Sequence, residues 1–306
     1  MAGRTLVCCG AAALVALSLA SDPAALAVER DGTWHEWWRD DRAPRQWTGA
    51  LAIVESAVQW HVAAPGVEWG TFRLSGSGEA WRLRVIVARL DPSRVRLTLA
   101  GTHEPAGRGR GWTIDQAPAE ALVAFNAGQF SESGPWGWVV RDGREVRPPG
   151  SGPLAPAIVV DASGRVRLVP ADSVGLVRQE ADIALAFQSY PAVLLANGEV
   201  PRQLFAGGSG VNLRHRDARL ALGLLRDGRI LVAMTRFEAL GGALSNLPFG
   251  LTTPEMAAVM GALGASRAVL LDGGISSQLL VREAGGAVHT WRGIRQVPLG
   301  FVALPR

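Results

Sequence analysis

The chain has 306 residues and a formal net charge of +4, and 48% of its residues are hydrophobic, which is enough to bury one large core or two modest ones. All 31 basic residues are arginine, which excludes Schiff-base and lysine-base mechanisms, and they are spread along the chain, which argues against a nucleic-acid partner. The only two cysteines, Cys8 and Cys9, fall in the predicted leader, so the mature protein is expected to have no disulfide, thiolate metal site or cysteine nucleophile.

The leader comes first. Arg4 supplies a positive start, Leu6 to Ala20 is an apolar run, and Ala25-Leu26-Ala27 forms a small-x-small cleavage site, with Ser18-Leu19-Ala20 as the second choice. This predicts a signal peptide over residues 1–27 and an exported protein, periplasmic or extracellular. The run is short for a membrane span and no later stretch is longer, so no stable span is expected after cleavage. A leader that stays attached as an anchor is the competing reading.

Residues 28–80 hold six of the eleven tryptophans: Trp34, Trp37, Trp38, Trp47, Trp60 and Trp69. The spacing of Trp34, Trp37 and Trp38 predicts a short helix with one aromatic face. The segment reads as an arm that plugs onto a main domain, or alternatively as an aromatic platform for sugar rings. From Trp81 onward, period-two runs are separated by turn dipeptides at Asp142-Gly143, Ser163-Gly164, Asn197-Gly198 and Asp227-Gly228, the signature of hairpins. Helices are expected over part of Ala117–Val123, near Val174–Ala184, and most clearly after Thr252. There a hydroxyl cap, Pro254 and Glu255 precede Met256, Val259, Met260 and Leu263 at helical spacing, and Gly264 stops the run. The predicted fold class is α+β, with mixed, largely antiparallel sheets, a few packed helices and one main domain over residues 81–306.

The segment Ala268-Val269-Leu270-Leu271-Asp272-Gly273-Gly274-Ile275-Ser276-Ser277 carries the strongest chemical signal. An apolar strand delivers a carboxylate to its end, and the glycines beyond it allow a sharp turn and close approach to a ligand. The plain alternative is an ordinary Asp-Gly turn. The helix just before this strand carries Glu255 in its first turn, where a carboxylate also complements the helix dipole. Three weaker places are Asn126 with Gly128 at the end of an apolar run, Tyr190-Pro191, and Arg219 at the start of the strand Leu220–Leu225.

Taken in order, these segments resemble the phosphodiester glycosidase family. The matching residues are Asn126, Gly128 and Phe130; Tyr190-Pro191; Arg219, Ala221 and Gly223; Gly250-Leu251-Thr252 with Glu255 and Ala257; and Leu271-Asp272-Gly273-Gly274 with Ser276. The resemblance runs from about Arg84 to the C-terminus. It departs from the family pattern at Ala127, Gln129, Ala218 and Leu220, and at Ile275, where the family has a third glycine. It implies hydrolysis of a sugar 1-phosphodiester to free sugar and phosphomonoester, on a sugar-phosphate or glycan substrate. On this resemblance Asp272 and Glu255 are the candidate nucleophile or general base, and Arg219 the phosphate clamp. The backbone of Gly273 and Gly274 would assist, with Asn126, Gly128 and Ser276 orienting the substrate. No cofactor and no metal are expected in this reading. Two others stay open: a non-catalytic envelope protein binding polysaccharide, and a metal-dependent phosphodiester hydrolase in which Asp272 and nearby oxygens hold a hard divalent cation.

Overall fold

The computed structural model describes residues 23–101, 111–206, 210–238 and 249–306. The leader falls almost wholly outside the described residues. Three large antiparallel sheets make up the fold, as an α+β domain whose helices are few and short.

The largest sheet has nine strands. Its path runs Ala192–Leu194, Ala265–Leu270, Leu220–Leu225, Ile230–Phe237, Leu83–Leu90, Val67–Gly76, Ala25–Arg30 and Thr33–Arg39, and Gln59–Ala64 also pairs with Val67–Gly76. The central strands are apolar at nearly every position because both of their faces are covered. Val85, Val87, Leu231 and Ala233 face one core together with Trp38, Trp47, Met256, Val259 and Met260. Ile86, Ala88, Val232 and Met234 face the other core, shared with Phe125, Phe187 and Phe301 from the two five-stranded sheets. In that second core Phe301 meets Phe125 edge-on at 5.5 Å and Phe187 at 5.2 Å, geometries that suit the ring quadrupole.

The five-stranded sheets run Arg144–Arg147, Val139–Arg141, Ile183–Gln188, Ala157–Asp161, Val166–Val169, and Val288–Trp291, Leu279–Arg282, Val123–Asn126, Leu299–Pro305, Val95–Gly101. The hairpins expected at Asp142-Gly143, Ser163-Gly164 and Asp227-Gly228 form as predicted. At the first, Asp142 and Gly143 both take positive φ (51° and 73°), as a tight hairpin turn requires.

Several expected elements differ. Trp34, Trp37 and Trp38 lie in the strand Thr33–Arg39, where pairing with Ala25–Arg30 along its length outweighs the helical spacing. The residues expected as a helix over Ala117–Val123 follow a single 3-10 turn, Ile114–Gln116, and lead into Val123–Asn126. Near Val174 one helical turn, Val174–Val177, gives way to the strand Ile183–Gln188. Asn197-Gly198 closes a 3-10 turn between Leu195 and Glu199, with Asn197 at φ 58°, and not a hairpin between strands. The helix after Thr252 is as predicted, Thr253–Ala262, and it is buried on all sides against the nine-stranded sheet.

The tryptophan-rich segment is part of this sheet. Val67–Gly76 pairs with Leu83–Leu90 through eight successive residue pairs, from Val67↔Leu90 to Leu74↔Leu83. A division between residues 80 and 81 therefore cuts through one continuous sheet.

Candidate active site

Register brings the site together. The strands Leu220–Leu225 and Ala265–Leu270 are antiparallel with Ala221 opposite Leu270, and the ladder continues through Leu271 N–H to Leu220 O at 2.8 Å. One step further along this ladder lie Arg219 and Asp272. Beyond them Gly274 N–H donates to Ala218 O at 2.7 Å. The two chain segments therefore leave the sheet side by side, carrying Asp217 and Arg219 on one and Asp272 on the other.

Gly274 makes the close approach possible. Its φ is 60°, and a Cβ placed there would lie 2.8 Å from Oδ2 and 3.0 Å from Oδ1 of Asp217. Any side chain would both strain this backbone and displace the carboxylate. Ile275, where the family has glycine, sits in the 3-10 turn Gly274–Ser276 with 41% of its surface exposed, so its branched side chain points away from the packed turn.

The loop from Asp272 to Gln278 is strapped at both ends by the fully buried Asn126. Asn126 Nδ2 donates to Asp272 O, and Asn126 Oδ1 accepts from Gln278 N–H at 3.0 Å. Gln129 does a similar service next door: Nε2 donates to Tyr190 O, while Oε1 accepts from Tyr190 N–H at 2.8 Å. The Ser189 hydroxyl donates to Leu270 O at 2.6 Å. Gly128 is a packing glycine, since a Cβ there would meet Gln188 O at 2.2 Å. Asn126 thus acts on the loop that carries Asp272, whereas Gly128 serves the packing against Gln188. Ser276 is buried beside Asp272, where its hydroxyl favours the ionised carboxylate.

Two acids meet here with unusual basicity. Burial pushes Asp272 up from 3.8 to about 6; the nearby Asp217 charge adds to this, while the Ser276 hydroxyl and Arg295 oppose it. Burial also raises Asp217, against the pull of Arg219, the Ala218 N–H and His215. Each carboxylate keeps one buried oxygen without a hydrogen-bond partner among the described residues: Oδ2 of Asp272 and Oδ1 of Asp217. Leaving such an oxygen unpaired is costly in a folded protein and marks a place where a ligand group fits.

The remaining predicted residues stand differently. Glu255 is fully committed to the fold. Its Oε2 accepts from Arg216 Nη1 at 2.6 Å and from Thr252 N–H at 2.8 Å, and its Oε1 accepts from Arg216 Nη2 at 2.8 Å. Together with Thr252 Oγ1 accepting from Glu255 N–H, this is a capping box closed by a buried ion pair. Glu255 is not among the charges that act on Asp272. Arg219 lies between the site and the fold: Nε donates to Leu251 O at 2.8 Å and Nη2 to His215 O at 2.6 Å, holding the turn that carries Asp217. Burial lowers its pKa from the ordinary arginine value, against the pull of Asp217 and Glu255. The N–H of Gly274 is taken by Ala218, whereas that of Gly273 has no acceptor among the described residues.

Sequence reasoning missed Asp217, Gln129 and Arg295. Asp217 lies in the charged run Arg214-His215-Arg216-Asp217-Ala218-Arg219, where nothing sets it apart from its neighbours. The signal available was its place two residues ahead of Arg219, at the mouth of an apolar strand. Gln129 was read only as a departure from the family pattern, and nothing in the sequence pointed to Arg295.

Residues 119–303 match the family model for phosphodiester glycosidases, and the chain belongs to that family. The fold is similar to that of the catalytic domain of zebrafish N-acetylglucosamine-1-phosphodiester alpha-N-acetylglucosaminidase, solved in a form auto-inhibited by its pro-peptide. The TM-score is 0.58 at 16% identity, over 87% of this chain and 96% of that one. A hypothetical protein from Synechocystis is also similar, with a TM-score of 0.53 at 16% identity, over 81% of this chain and 64% of that one. At these identities the likeness carries the fold alone. No curated protein matches the chain.

Proposed function

We propose that this chain hydrolyses a sugar 1-phosphodiester, releasing the sugar and a phosphomonoester, with Asp272 and Asp217 as its working acids. The observation that carries the reading is the pair itself: two carboxylates raised by burial on neighbouring chain segments, with Asp217 packed against Gly274 and its charge felt by Asp272, each with one bare oxygen. Asp217 replaces Glu255 as the partner of Asp272.

The chemistry suits this substrate class. A phosphomonoester has a second pKa of about 6, against about 15.7 for water, so its departure needs little proton donation. With a pKa of about 6, Asp272 is mostly ionised at neutral pH, yet it is a stronger base than an ordinary surface carboxylate. It takes a proton from a water whose oxygen bonds to the anomeric carbon. The bond from that carbon to the phosphate oxygen breaks, and its electron pair leaves with the phosphate. Asp217 faces the positive charge that develops on the sugar ring in such a transition state. The Gly273 N–H, which has no acceptor among the described residues, is a further donor for the departing phosphate. This route uses only the chain's own side chains.

The test is hydrolysis in ¹⁸O-labelled water with a panel of sugar 1-(methyl phosphates), led by N-acetylglucosamine, the sugar in the zebrafish relative's name. Label is expected in the released sugar. Label in the phosphate instead would mean attack at phosphorus and sink this mechanism, and the absence of both products across the panel would favour a binding protein.

Export belongs to the same proposal, but with a shifted cleavage site. Ala25–Arg30 is a strand of the nine-stranded sheet, Leu26 is fully buried in its core, and Leu26 and Ala27 pair with Gly76 and Ser75. Cleavage after Ala27 would remove half of that strand, whereas cleavage after Ala20 spares it. The exported protein is therefore expected to begin at Ser21, and N-terminal sequencing that reads Val28 would refute this.

A further inference from the structure

Past the strand Val288–Trp291 the chain folds back over the Asp272 loop. Ile294 N–H and Arg295 N–H both donate to Ile275 O, at 2.7 and 3.1 Å, and Gly293 packs so closely that a Cβ there would lie 2.8 Å from Ser276 O. The backbone of residues 293–295 is thus fixed to the turn Gly274–Ser276. From this anchored position Arg295 lays its guanidinium carbon 4.7 Å from the centroid of the Phe130 ring.

The other arginines of these segments are occupied: Arg236 donates to Ser277 O and, at 3.0 Å, to Arg292 O. Arg216 is paired with Glu255, Arg292 is paired with Asp115, and Arg219 donates twice to backbone carbonyls. Among the described residues, the Arg295 guanidinium has no carboxylate partner and no hydrogen-bond acceptor, and it lies over the Phe130 face. Stacking on a ring holds a guanidinium in place while leaving its in-plane N–H groups free to donate. Arg295 is also the cation whose charge acts on Asp272. A fixed, unpaired fork beside a pair of acids fits a planar or tetrahedral oxyanion.

We propose that Arg295, held on Phe130, is the phosphate clamp of this site: it grips two oxygens of the diester and keeps hold of the phosphomonoester as the anomeric bond breaks. The proposal rests on the reading of Asp272 and Asp217 as the reacting acids, and it sets the direction of the substrate, with phosphate toward Ile275 and sugar toward Asp217. It also predicts that neutral glycosides are poor substrates.

The experiment measures binding of methyl phosphate by calorimetry, together with kcat and KM for the diester, in the full-length exported protein. Arg295→Ala should weaken methyl phosphate binding by about 10- to 100-fold and raise KM, with thermal stability unchanged because the side chain is exposed. Arg295→Lys should recover little of this, since a point charge lacks the fork. Phe130→Leu should move binding in the same direction by a smaller factor. Methyl phosphate binding at wild-type strength in Arg295→Ala overturns the clamp. If Asp272→Asn stays active, it is the acid reading that fails, and the Arg295 binding result still judges the clamp separately.

Discussion

Asp272→Asn is expected to lower turnover by about 10³-fold or more while substrate still binds, because it keeps the shape and removes the base. The same change should make the protein more stable at neutral pH. Asp272 titrates near 6 in the folded chain against 3.8 in its absence, so the folded state holds a proton that the unfolded state has released between those values. Wild-type stability is thus lost relative to the asparagine variant as pH rises from about 4 to about 6. Above that the gap is constant, on the order of 3 kcal/mol. Below pH 4 both side chains are neutral and the gap closes. In the wild type, kcat/KM should fall about tenfold per pH unit below pH 6. Denaturant titrations at pH 4 and pH 8, with a pH–rate profile, check each part. A variant that is inactive but no more stable at pH 8 would mean that Asp272 carries no burial penalty.

Arg216→Ala is expected to destabilise the fold by about 3–5 kcal/mol, because it leaves Glu255 buried, charged and unpaired. For a chain of this size that is a melting temperature lower by roughly 6–15 °C. Replacing both members with apolar residues, Arg216→Met with Glu255→Leu, should recover a large part of the loss, since no orphan charge remains. Glu255→Gln separates the two roles offered for this residue. As a cap and ion-pair residue, Glu255 loses stability on substitution while the remaining folded protein still turns over substrate. As a catalytic base it would lose turnover at unchanged melting temperature. Thermal unfolding with activity normalised to folded protein decides between them.

Local signals held: Asp-Gly dipeptides formed hairpins because the turn itself demands positive φ, and Thr252 to Glu255 opened a helix because a cap needs only four residues. The same four residues also contained the capping box that explains Glu255, so the structural role was legible and the chemical one was laid over it. Asp272 and Asn126 were legible as polar residues ending apolar runs. What was not legible depended on partners distant in sequence. The Thr33–Arg39 strand exists because Ala25–Arg30 lies beside it, a pairing that helical spacing of tryptophans conceals. Asp217 becomes a neighbour of Asp272 only through the register of two strands some fifty residues apart. Arg295 arrives at the site from beyond an edge strand of another sheet, tied by backbone bonds that leave no mark on its own sequence.

The continuity of the nine-stranded sheet makes the folding unit of this protein larger than the segment that matches the family. The segment that matches the family begins at residue 119, yet five of the nine strands, Leu83–Leu90 among them, lie before it. A fragment cut to the matched segment would bare the edge of Ile230–Phe237, an apolar strand buried along its whole length, and so offer a template for pairing with other chains. Fusion partners and domain exchanges therefore belong ahead of Ala25 or after Arg306, where they leave every strand with its neighbour.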